Sequence, residues 1–450
     1  MTLLDRLIDL ERQPAARAYT AEAYDLEGFR RWLETMGNPQ RATRALHIAG
    51  TKGKGSTAAM VEAILRGAGM RTGLYTSPHL EHYGERFRVG GAALTLAEFE
   101  EALEGLIAPH ARERVEGGQA KDGAFRTVFE CLTALAFRLF ADEGVEASVY
   151  EVGLGGRLDC TNVVEPAVCA ITPIGRDHTR LLGDDIALIA REKAGIIKPR
   201  VPVVVFEART PIQHDAHRVI VSRAAEVGAP MLAPAPVEIL NRRPVGQRVR
   251  VTLPTGEEAT AMLPLLGDHQ ARNLGVAVAM ADRFLRDAGR GPLRAEVLAR
   301  GLRALDWRGR LEVFPGPPGL VIDGAHCPTS ARALGEALEH VAGVAPGPYV
   351  LLWGMQADKD ARQFLHALLT SAPHDAIFQA VCYEVPGGRG AKAAALAEAA
   401  RAEGLLAIEA PGLAEAVQQA AEAPGAKSVL ATGTLYTLRA IEDAMGQRGL

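Results

Sequence analysis

The sequence predicts an α/β protein with two domains. The N-terminal domain is expected to have a mostly parallel sheet, a P-loop-type turn and a small β insertion, and the C-terminal domain to be a Rossmann-like α/β unit. Three observations support this prediction. Short apolar strands alternate with amphipathic helices. A Gly-rich turn joins a strand to a helix at residues 46–57. The chain of 450 residues exceeds what one hydrophobic core usually supports.

Composition narrows the classes of function. Hydrophobic residues make up 48% of the chain, the formal net charge is -4, and no block of lysine or arginine stands out. Charge therefore gives no reason to expect nucleic acid as a partner. No apolar run approaches the length of a membrane span, and the N-terminus lacks a signal peptide's long apolar centre. We expect a cytoplasmic monomer that acts on small molecules. The five scattered cysteines favour buried free thiols over disulfides or a zinc site.

The N-terminal half begins with an amphipathic helix over 26–36, which ends at the stop signal Gly37-Asn38-Pro39. A strand over 46–49 leads into the Gly-rich turn, and an amphipathic helix follows the turn. The pattern then predicts a helix over 125–140, a helix that Asp184 or Asp185 can cap, and strands at 72–76, 147–152, 168–172 and 202–206.

The rhythm changes over 237–263, where Val249, Val251 and Leu253 alternate before a Pro-Thr-Gly turn. This pattern is typical of a small antiparallel β insertion. A helix ends near Asp306, and a Pro/Gly-rich run lies shortly beyond it, so the predicted domains are 1–305 and 306–450. Around this boundary the pattern predicts helices at 270–288 and 293–305 and strands at 320–323, 349–353, 376–381 and 428–431.

The Gly-rich turn has the composition of a phosphate cradle. Its glycines let backbone N–H groups point inward, while Lys54 and the hydroxyls of Ser56 and Thr57 can meet phosphate oxygens or a metal. The turn departs from the strict G-x-x-x-x-G-K-[ST] pattern, because Ile48 replaces the first glycine and Gly55 separates lysine from serine. The alternative is an ordinary Gly-rich strand-to-helix turn. The predicted nucleotide-binding residues of the turn are Gly50, Thr51, Gly53, Lys54, Gly55, Ser56 and Thr57.

Polar residues also follow other predicted strands where each strand ends. A parallel sheet binds its ligand at the carboxyl ends of its strands, so these residues are candidates for one site. Glu151 is the best carboxylate for Mg²⁺, which prefers oxygen ligands, and His178 is a possible further ligand. The alternatives are a water-facing carboxylate for Glu151, a structural histidine for His178 and a solvated helix lysine for Lys193. The full set is Lys54, Ser56, Ser77, His79, Glu151, Asp177, His178 and Lys193.

The ordered motifs resemble the folylpolyglutamate synthase and dihydrofolate synthase family, within the Mur-type ATP-dependent amide ligases. The resemblance implies an ATPase-type N-terminal domain that binds ATP and two Mg²⁺ ions. It also implies a reaction in which ATP phosphorylates the carboxylate of dihydropteroate or a reduced folate, and L-glutamate attacks the acyl phosphate. The matching stretches are 37–40, 47–56, 75–80, 85–86, 151–162, 177–179, 182–183, 189–198, 263–273, 307–312, 323–328, 354–360 and 432–436.

The resemblance implies roles for individual residues. Ser77 and Glu151 match the ligands of one magnesium ion, and His178 matches a residue that helps to hold a second. Lys193 matches a lysine that is carbamylated, which turns a cation into an anion able to organise the second metal site. The two ions, together with Lys54 and Arg310, are then expected to neutralise charge during phosphoryl transfer.

Further matches concern the nucleotide and the acyl substrate. Arg310, Asp323 and His326 match positions that reach the nucleotide, and Asn273 matches a position near the base. The stretch 153–162 resembles a mobile loop where the acyl substrate lies. The catalytic set implied by the resemblance is Lys54, His178, Lys193 and Arg310.

Four residues depart from the family pattern. Lys52 replaces the usual asparagine, Cys160 an alanine, Arg308 a proline and Cys327 an asparagine. Two other functions stay open. A cell-wall Mur ligase would act on a nucleotide-sugar peptide, but the Gly-Lys-Gly-Ser cradle and the short N-terminus stand against it. A nucleotide-binding module without ligase activity would have no use for the metal-ligand candidates and the helix lysine together.

Overall fold

The computed structural model describes residues 4, 24–110, 127–176, 183 and 185–446. The chain folds into two compact units. The first comprises residues 1–237, 251–260 and 272–305, and the second comprises residues 238–250, 261–271 and 306–450. A large, mostly parallel sheet lies in the first unit and a separate α/β sheet in the second, which confirms the predicted fold class.

An eight-stranded sheet forms the centre of the first unit. Its strands are β1 (Arg44–Ala49), β2 (Thr72–Tyr75), β3 (Phe87–Val89), β4 (Ala92–Ala93), β5 (Ala147–Glu151), β6 (Val168–Ile171), β7 (Val203–Val205) and β8 (Met231–Leu232). Their spatial order is β4-β3-β2-β5-β1-β6-β7-β8, and only the β2–β3 and β3–β4 pairs are antiparallel. β1 lies between β5 and β6, with Ile48 opposite Glu151. The strand ends predicted to share a site are therefore neighbours.

Helices connect these strands, and side chains cap several of them. The carboxylate of Asp185 accepts a hydrogen bond from the Ala187 N–H at 2.8 Å, which caps the helix that carries Lys193. The other predicted cap, Asp184, lies outside the described residues. The helices up to residue 305 are α1 (Leu26–Thr35), α2 (Lys54–Gly67), α3 (Leu96–Ala102), α4 (Val128–Asp142), α5 (Ile186–Ala194), α6 (Pro211–Glu226), α7 (Asp268–Asp287) and α8 (Ala295–Arg303).

Apolar burial holds the elements of the first unit together. One core cluster contains Trp32 of α1, Phe137 of α4 and Tyr150 of β5. A second contains Ile189 of α5 and Ile220 of α6 together with β6 and β7 residues. All five cysteines of the chain are buried free thiols, as the sequence predicts.

The predicted β insertion is a three-stranded sheet. It consists of β9 (Val237–Arg243), β10 (Gly246–Thr252) and β11 (Glu258–Leu263), in the spatial order β11-β10-β9. Buried and exposed residues alternate along β11, because successive side chains of a strand point to opposite faces. The interpretation of the region as a β insertion is confirmed.

A six-stranded sheet forms the second unit. Its strands are β12 (Glu312–Phe314), β13 (Gly319–Ile322), β14 (Tyr349–Trp353), β15 (Ile377–Cys382), β16 (Leu406–Glu409) and β17 (Ser428–Thr432), in the order β12-β13-β17-β14-β15-β16. Only the edge strand β12 is antiparallel to its neighbour. The helices are α9 (Pro328–Val341), α10 (Ala361–Ser371), α11 (Ala393–Ala402), α12 (Leu413–Ala421) and α13 (Leu438–Ala444).

Most of the strands that the sequence did not reveal lie at the edges of the sheets. β4 has two residues, β8 has two, and β16 exposes Leu406 and Ile408 instead of burying them. Edge strands are paired on one side only, so their sequences need neither length nor a buried apolar run. Within the described residues, no helix has the length and apolar character that a bilayer span requires.

Candidate active site

Residues 50–57, called here the phosphate loop, comprise the tight turn that follows β1 and the first residues of α2. Gly50 has a φ angle of +150° and Gly53 one of +86°. A methyl group would lie 1.9 Å from Thr172 Oγ1 at the first position and 2.5 Å from Asn273 Oδ1 at the second. Both positions therefore require glycine. Because α2 begins at Lys54, the positive end of its dipole faces the loop.

The first half of the phosphate loop is tied to the segment after β6. The amides of Thr51 and Lys52 both donate to the Pro173 carbonyl, at 3.0 and 3.2 Å. The Thr51 hydroxyl donates to the Gly175 carbonyl and accepts from the Gly175 N–H, each at 3.1 Å. The N–H groups of Thr51 and Lys52 are thus already used to shape the loop. The backbone N–H groups suited to bind an anion are those in the first turn of α2.

Three predicted site residues meet at the carboxyl edge of the first unit's sheet. Glu151 ends β5, and its side chain is only 6% exposed. Lys54 Nζ lies 3.9 Å from Glu151 Oε1, and the Ser77 N–H donates to Glu151 Oε2 at 3.1 Å. A buried carboxylate needs a cation or hydrogen-bond donors, and Glu151 has both. The alternative of a water-facing carboxylate is wrong for this residue.

The chemistry of this group fits Mg²⁺. Among the described residues, no group of three His, Cys, Asp or Glu side chains could hold a metal by itself. Mg²⁺ usually takes one or two carboxylates and completes its shell with water and substrate phosphates. Glu151 and the hydroxyl-bearing Ser77 supply such a partial set beside the phosphate loop. His178 and Asp177 lie outside the described residues.

Lys193 lies in the last turn of α5 and is 5% exposed, so the alternative of a solvated lysine is wrong. The loop 153–162 packs against the same turn. A methyl group at Gly156 would lie 3.0 Å from Lys193 Cα. The Arg157 N–H donates to the Glu192 carbonyl at 2.8 Å, and the two side chains form an ion pair at 2.8 Å. Lys193 and this loop are therefore neighbours.

A buried carboxylate that the sequence analysis did not assign shapes the loop 153–162. Asp159 accepts hydrogen bonds from the N–H groups of Gly153, Leu154 and Thr161 at 3.0 to 3.1 Å, and from the Thr161 hydroxyl. Burial raises the pKa of Asp159, and these hydrogen bonds oppose the rise. The sequence does contain a signal for this role, because Asp-x-Thr favours local side-chain-to-backbone hydrogen bonds.

His47 supports the same loop from β1. Its Nε2 lies 2.8 Å from Thr161 Oγ1, and the ring is fully buried. Burial, with the charge of Lys198 acting in the same direction, lowers the pKa of His47 to about 3, so the ring is neutral. The Thr161 hydroxyl donates to Asp159, and therefore the Nε2–H of His47 donates to Thr161.

The second unit has its own group of predicted site residues. Asp323 follows β13 and accepts hydrogen bonds from the Leu311 and Ala325 N–H groups at 2.9 and 2.8 Å. Burial raises the pKa of Asp323, while the nearby charge of Arg310 opposes the rise. His326 Nδ1 lies 2.8 Å from the Gly324 carbonyl, which can only accept, so Nδ1 carries the proton. Arg310, Asp323 and His326 therefore cluster around one strand end.

Two family models match the chain. The Mur ligase middle domain matches residues 48–281, and the Mur ligase glutamate ligase domain matches residues 309–435. These matches agree with a parallel sheet whose central strand leads into a phosphate loop. The fold and these two matches therefore define a protein of the Mur ligase class.

Individual relatives narrow this class. The probable bifunctional folylpolyglutamate synthase/dihydropteroate synthase of Haloferax volcanii is 37% identical over 347 residues, which are 76% of this chain and 39% of the relative. The chain thus spans about two fifths of that protein's length. The dihydrofolate synthase/folylpolyglutamate synthase of Bacillus subtilis is 36% identical over 316 residues, 68% of this chain and 70% of the relative.

A solved structure of a folylpolyglutamate synthase is also similar to this chain in fold and sequence. Folylpolyglutamate synthase of Mycobacterium tuberculosis, complexed with ADP and AMPPCP, superposes with a TM-score of 0.82 at 30% identity and covers 100% of this chain and 98% of that chain. The chain belongs to the folylpolyglutamate synthase/dihydrofolate synthase family.

Proposed function

We propose that the chain joins L-glutamate to the carboxylate of dihydropteroate, of a tetrahydrofolate or of both, with ATP as the energy source. The meeting of Lys54, Ser77 and Glu151 beside the phosphate loop carries this proposal. The names of the relatives and the nucleotides in the mycobacterial structure support it.

The reaction has two displacement steps. First, the acceptor carboxylate attacks the γ-phosphorus of ATP, the bond to the bridging oxygen breaks, and an acyl phosphate and ADP form. Second, the amine of glutamate attacks the acyl carbon, phosphate leaves, and the nitrogen loses a proton as the amide forms. Lys54 neutralises charge on the transferred phosphoryl group, and Glu151 holds the ammonium in place at 3.9 Å.

The metal assignment is part of this proposal. Ser77 and Glu151 would hold one Mg²⁺, and His178 would help to hold a second. When bound, Mg²⁺ supplies charge neutralisation at the phosphate oxygens. Lys54 and the first turn of α2 remain the chain's own groups for binding and orienting the phosphates.

Carbamylation of Lys193 is the second part of the proposal. A carbamate would exchange the buried ammonium for an anion on the turn that contacts the loop 153–162. Mass analysis under CO₂ should show the modification, and Lys193→Ala should lose activity that a small carboxylic acid partly restores. A bare ammonium in the active, CO₂-supplied enzyme would contradict the anionic role.

The two domains have separate roles in this proposal. Residues 1–305 would be the Mur-type ATP-binding domain. Its nucleotide contacts would come from Asn273 and from the phosphate-loop residues Gly50, Thr51, Gly53, Lys54, Gly55, Ser56 and Thr57. Residues 306–450 would be the glutamate-ligase domain, which contributes Arg310, Asp323 and His326. The positions of the two matching family models support this division. We further propose a cytoplasmic monomer without nucleic acid partners, in line with the net charge of -4.

The decisive experiment is ATP-dependent incorporation of labelled glutamate, with dihydropteroate and tetrahydrofolate offered as separate acceptors. We expect amide product with both acceptors and none without ATP. ATP turnover that does not depend on glutamate would favour a nucleotide-binding module. Incorporation only with a nucleotide-sugar peptide would favour a cell-wall ligase.

Lys52 tests the choice between acceptors. Its backbone N–H donates to the Pro173 carbonyl, and its side chain adds a cation to the phosphate loop itself. We expect Lys52→Asn to change the ratio of the rates with the two acceptors, because a cation can pair with the additional carboxylate of a glutamyl tail. Turnover of a single acceptor by the parent would contradict the dual activity, and an unchanged ratio would exclude Lys52 as a specificity residue.

A further inference from the structure

Arg310 lies in a turn, residues 308–312, whose backbone is disfavoured. Gly309 has a φ angle of +73° and Leu311 one of +47°. Glycine adopts this left-handed region freely, but a residue with a Cβ atom does so only when its surroundings hold it there. Arg310 stands between these two residues, so whatever holds the turn also sets the position of its guanidinium group.

Two carboxylates hold the backbone of the turn. Glu312 accepts a hydrogen bond from the Gly309 N–H, and Asp323 accepts one from the Leu311 N–H at 2.9 Å. The Gly309 carbonyl in turn accepts a hydrogen bond from Gly324 at 3.2 Å. The amides on both sides of Arg310 are therefore bound by side chains that are fixed elsewhere.

An arginine keeps the first of these carboxylates in place. Arg308 Nε lies 2.7 Å from Glu312 Oε2, and Arg308 Nη2 lies 2.8 Å from Glu442 Oε1 on α13. The second oxygen of Glu442 is 2.8 Å from Arg439 Nη1, and the Glu442 side chain is only 5% exposed. Burial raises the pKa of Glu312, and the charge of Arg308 acts against that rise.

The geometry requires the guanidinium group. Arg308 uses two different nitrogens to bridge two carboxylates, an arrangement that suits a planar fork of donors and not the single ammonium of lysine. The Arg308 side chain is 40% exposed, but its partners Glu312 and Glu442 are only 18% and 5% exposed, so solvent screens these pairs less than pairs between two surface residues.

We propose that Arg308 and Glu442 are positioning residues for Arg310. Glu442 fixes Arg308, Arg308 fixes Glu312, and Glu312 fixes the amide that precedes Arg310. The inference rests on the proposed ligase function, because it assigns Arg310 a task in phosphoryl transfer.

The first test compares Arg308→Met, Arg308→Lys and the control Asp443→Asn. Asp443 is next to Glu442 on α13 and pairs with the same Arg439 at 3.8 Å, so Asp443→Asn removes the charge of a neighbouring carboxylate on the same helix. We expect Arg308→Met to lower kcat about 10-fold or more with a smaller change in the KM for glutamate, and Arg308→Lys to recover only part of the loss. Asp443→Asn should keep the parent kcat.

The second test asks whether Arg308 acts through Arg310. In an Arg310→Ala background, Arg308→Met should change kcat less than about twofold, because its effect in the parent passes through the missing guanidinium. A purely structural role would instead lower kcat by the same factor in both backgrounds, and this result would overturn the proposal.

A third test does not depend on ligase activity. Amide hydrogen exchange at Gly309 and Leu311 should be faster in Arg308→Met and in Glu442→Gln than in the parent, while thermal unfolding confirms that each variant is folded. Unchanged exchange in Arg308→Met would overturn the proposal. If the parent forms no glutamyl amide, the proposed function fails, and faster exchange would still establish the support of the turn.

Discussion

The two units each present a cation on a turn beside a strand end, but they hold it by different means. In the first unit, Lys54 follows Gly50 and Gly53, which have positive φ angles that glycine adopts without strain. In the second, Arg310 is flanked by Gly309 and Leu311, and the leucine adopts a positive φ angle that it does not favour. The positive φ angles of the phosphate loop therefore fall on glycines, whereas carboxylates bind the backbone of the turn 308–312 and hold Leu311 in a conformation that it does not favour.

This difference has a consequence for how mutations act. A change in the phosphate loop should damage the proposed site directly, because the loop gives the site its shape and also carries the groups proposed to bind phosphate. A change at Glu312 or Arg308 should instead act through Arg310, because neither residue is expected to touch the substrate. The following predictions test the comparison, from the largest expected effect to the smallest.

The largest effect is expected for Lys54→Met. Removing a cation that neutralises the transferred phosphoryl group should lower kcat/KM by about 100-fold or more, equivalent to roughly 3 kcal/mol of transition-state stabilisation. Steady-state kinetics with saturating glutamate would measure the loss. Lys392→Met is the control, because the Lys392 side chain is 76% exposed and forms a surface ion pair with Glu384. Near-parent activity of Lys54→Met would remove the proposed site.

Gly53→Ala tests whether the phosphate loop is shaped by its own backbone. The matched control is Gly69→Ala, since Gly69 has a φ angle of +80° with nothing within 4 Å, whereas a methyl group at Gly53 would meet Asn273 Oδ1 at 2.5 Å. We expect Gly69→Ala to lower the free energy of unfolding by about 1 kcal/mol. Gly53→Ala should lose roughly 1–3 kcal/mol more, because Asn273 is buried.

Urea unfolding and ADP affinity would separate the two glycine variants. Only Gly53→Ala should weaken ADP binding. Equal losses of unfolding free energy would show that the Asn273 contact adjusts without cost, and ADP affinity equal to the parent's would place the nucleotide away from Gly53.

The smallest effect concerns the buried support under the first unit's site. His47 has a pKa of about 3 in the folded chain against 6.5 for the free side chain. Below pH 6.5 His47 becomes protonated in the unfolded chain, whereas in the folded chain it stays neutral down to about pH 3. Folding should therefore become less favourable as the pH falls through this window, by up to about 1.4 kcal/mol per pH unit from this residue.

His47→Gln removes that titration and keeps an amide donor for Thr161. Urea unfolding at about pH 7, 6 and 5 brackets the ordinary pKa of histidine. As the pH falls, the free energy of unfolding should decrease less steeply for the variant than for the parent. Parallel slopes would mean that His47 does not resist protonation. No such dependence is expected from Arg308, which remains charged throughout the range.

Much of the first unit's candidate site could be predicted because its signals are local. The phosphate loop, Ser77 and Glu151 each stand at the end of an apolar strand, and a parallel sheet brings such ends together. The partners of Thr51 could not be predicted in this way, since Pro173 and Gly175 contribute a backbone carbonyl and N–H that any residue type carries.

The sequence by itself determined the alternation of strands and helices, the strand–turn–helix around Lys54 and the family, because each depends on residues close together in the chain or on ordered motifs. Only the tertiary structure decided that His47 supports Thr161, 114 residues away, and that Arg308 reaches Glu442, 134 residues away. The reason is that a polar side chain taken out of water must find a partner, and packing of the whole unit determines which partner lies within reach.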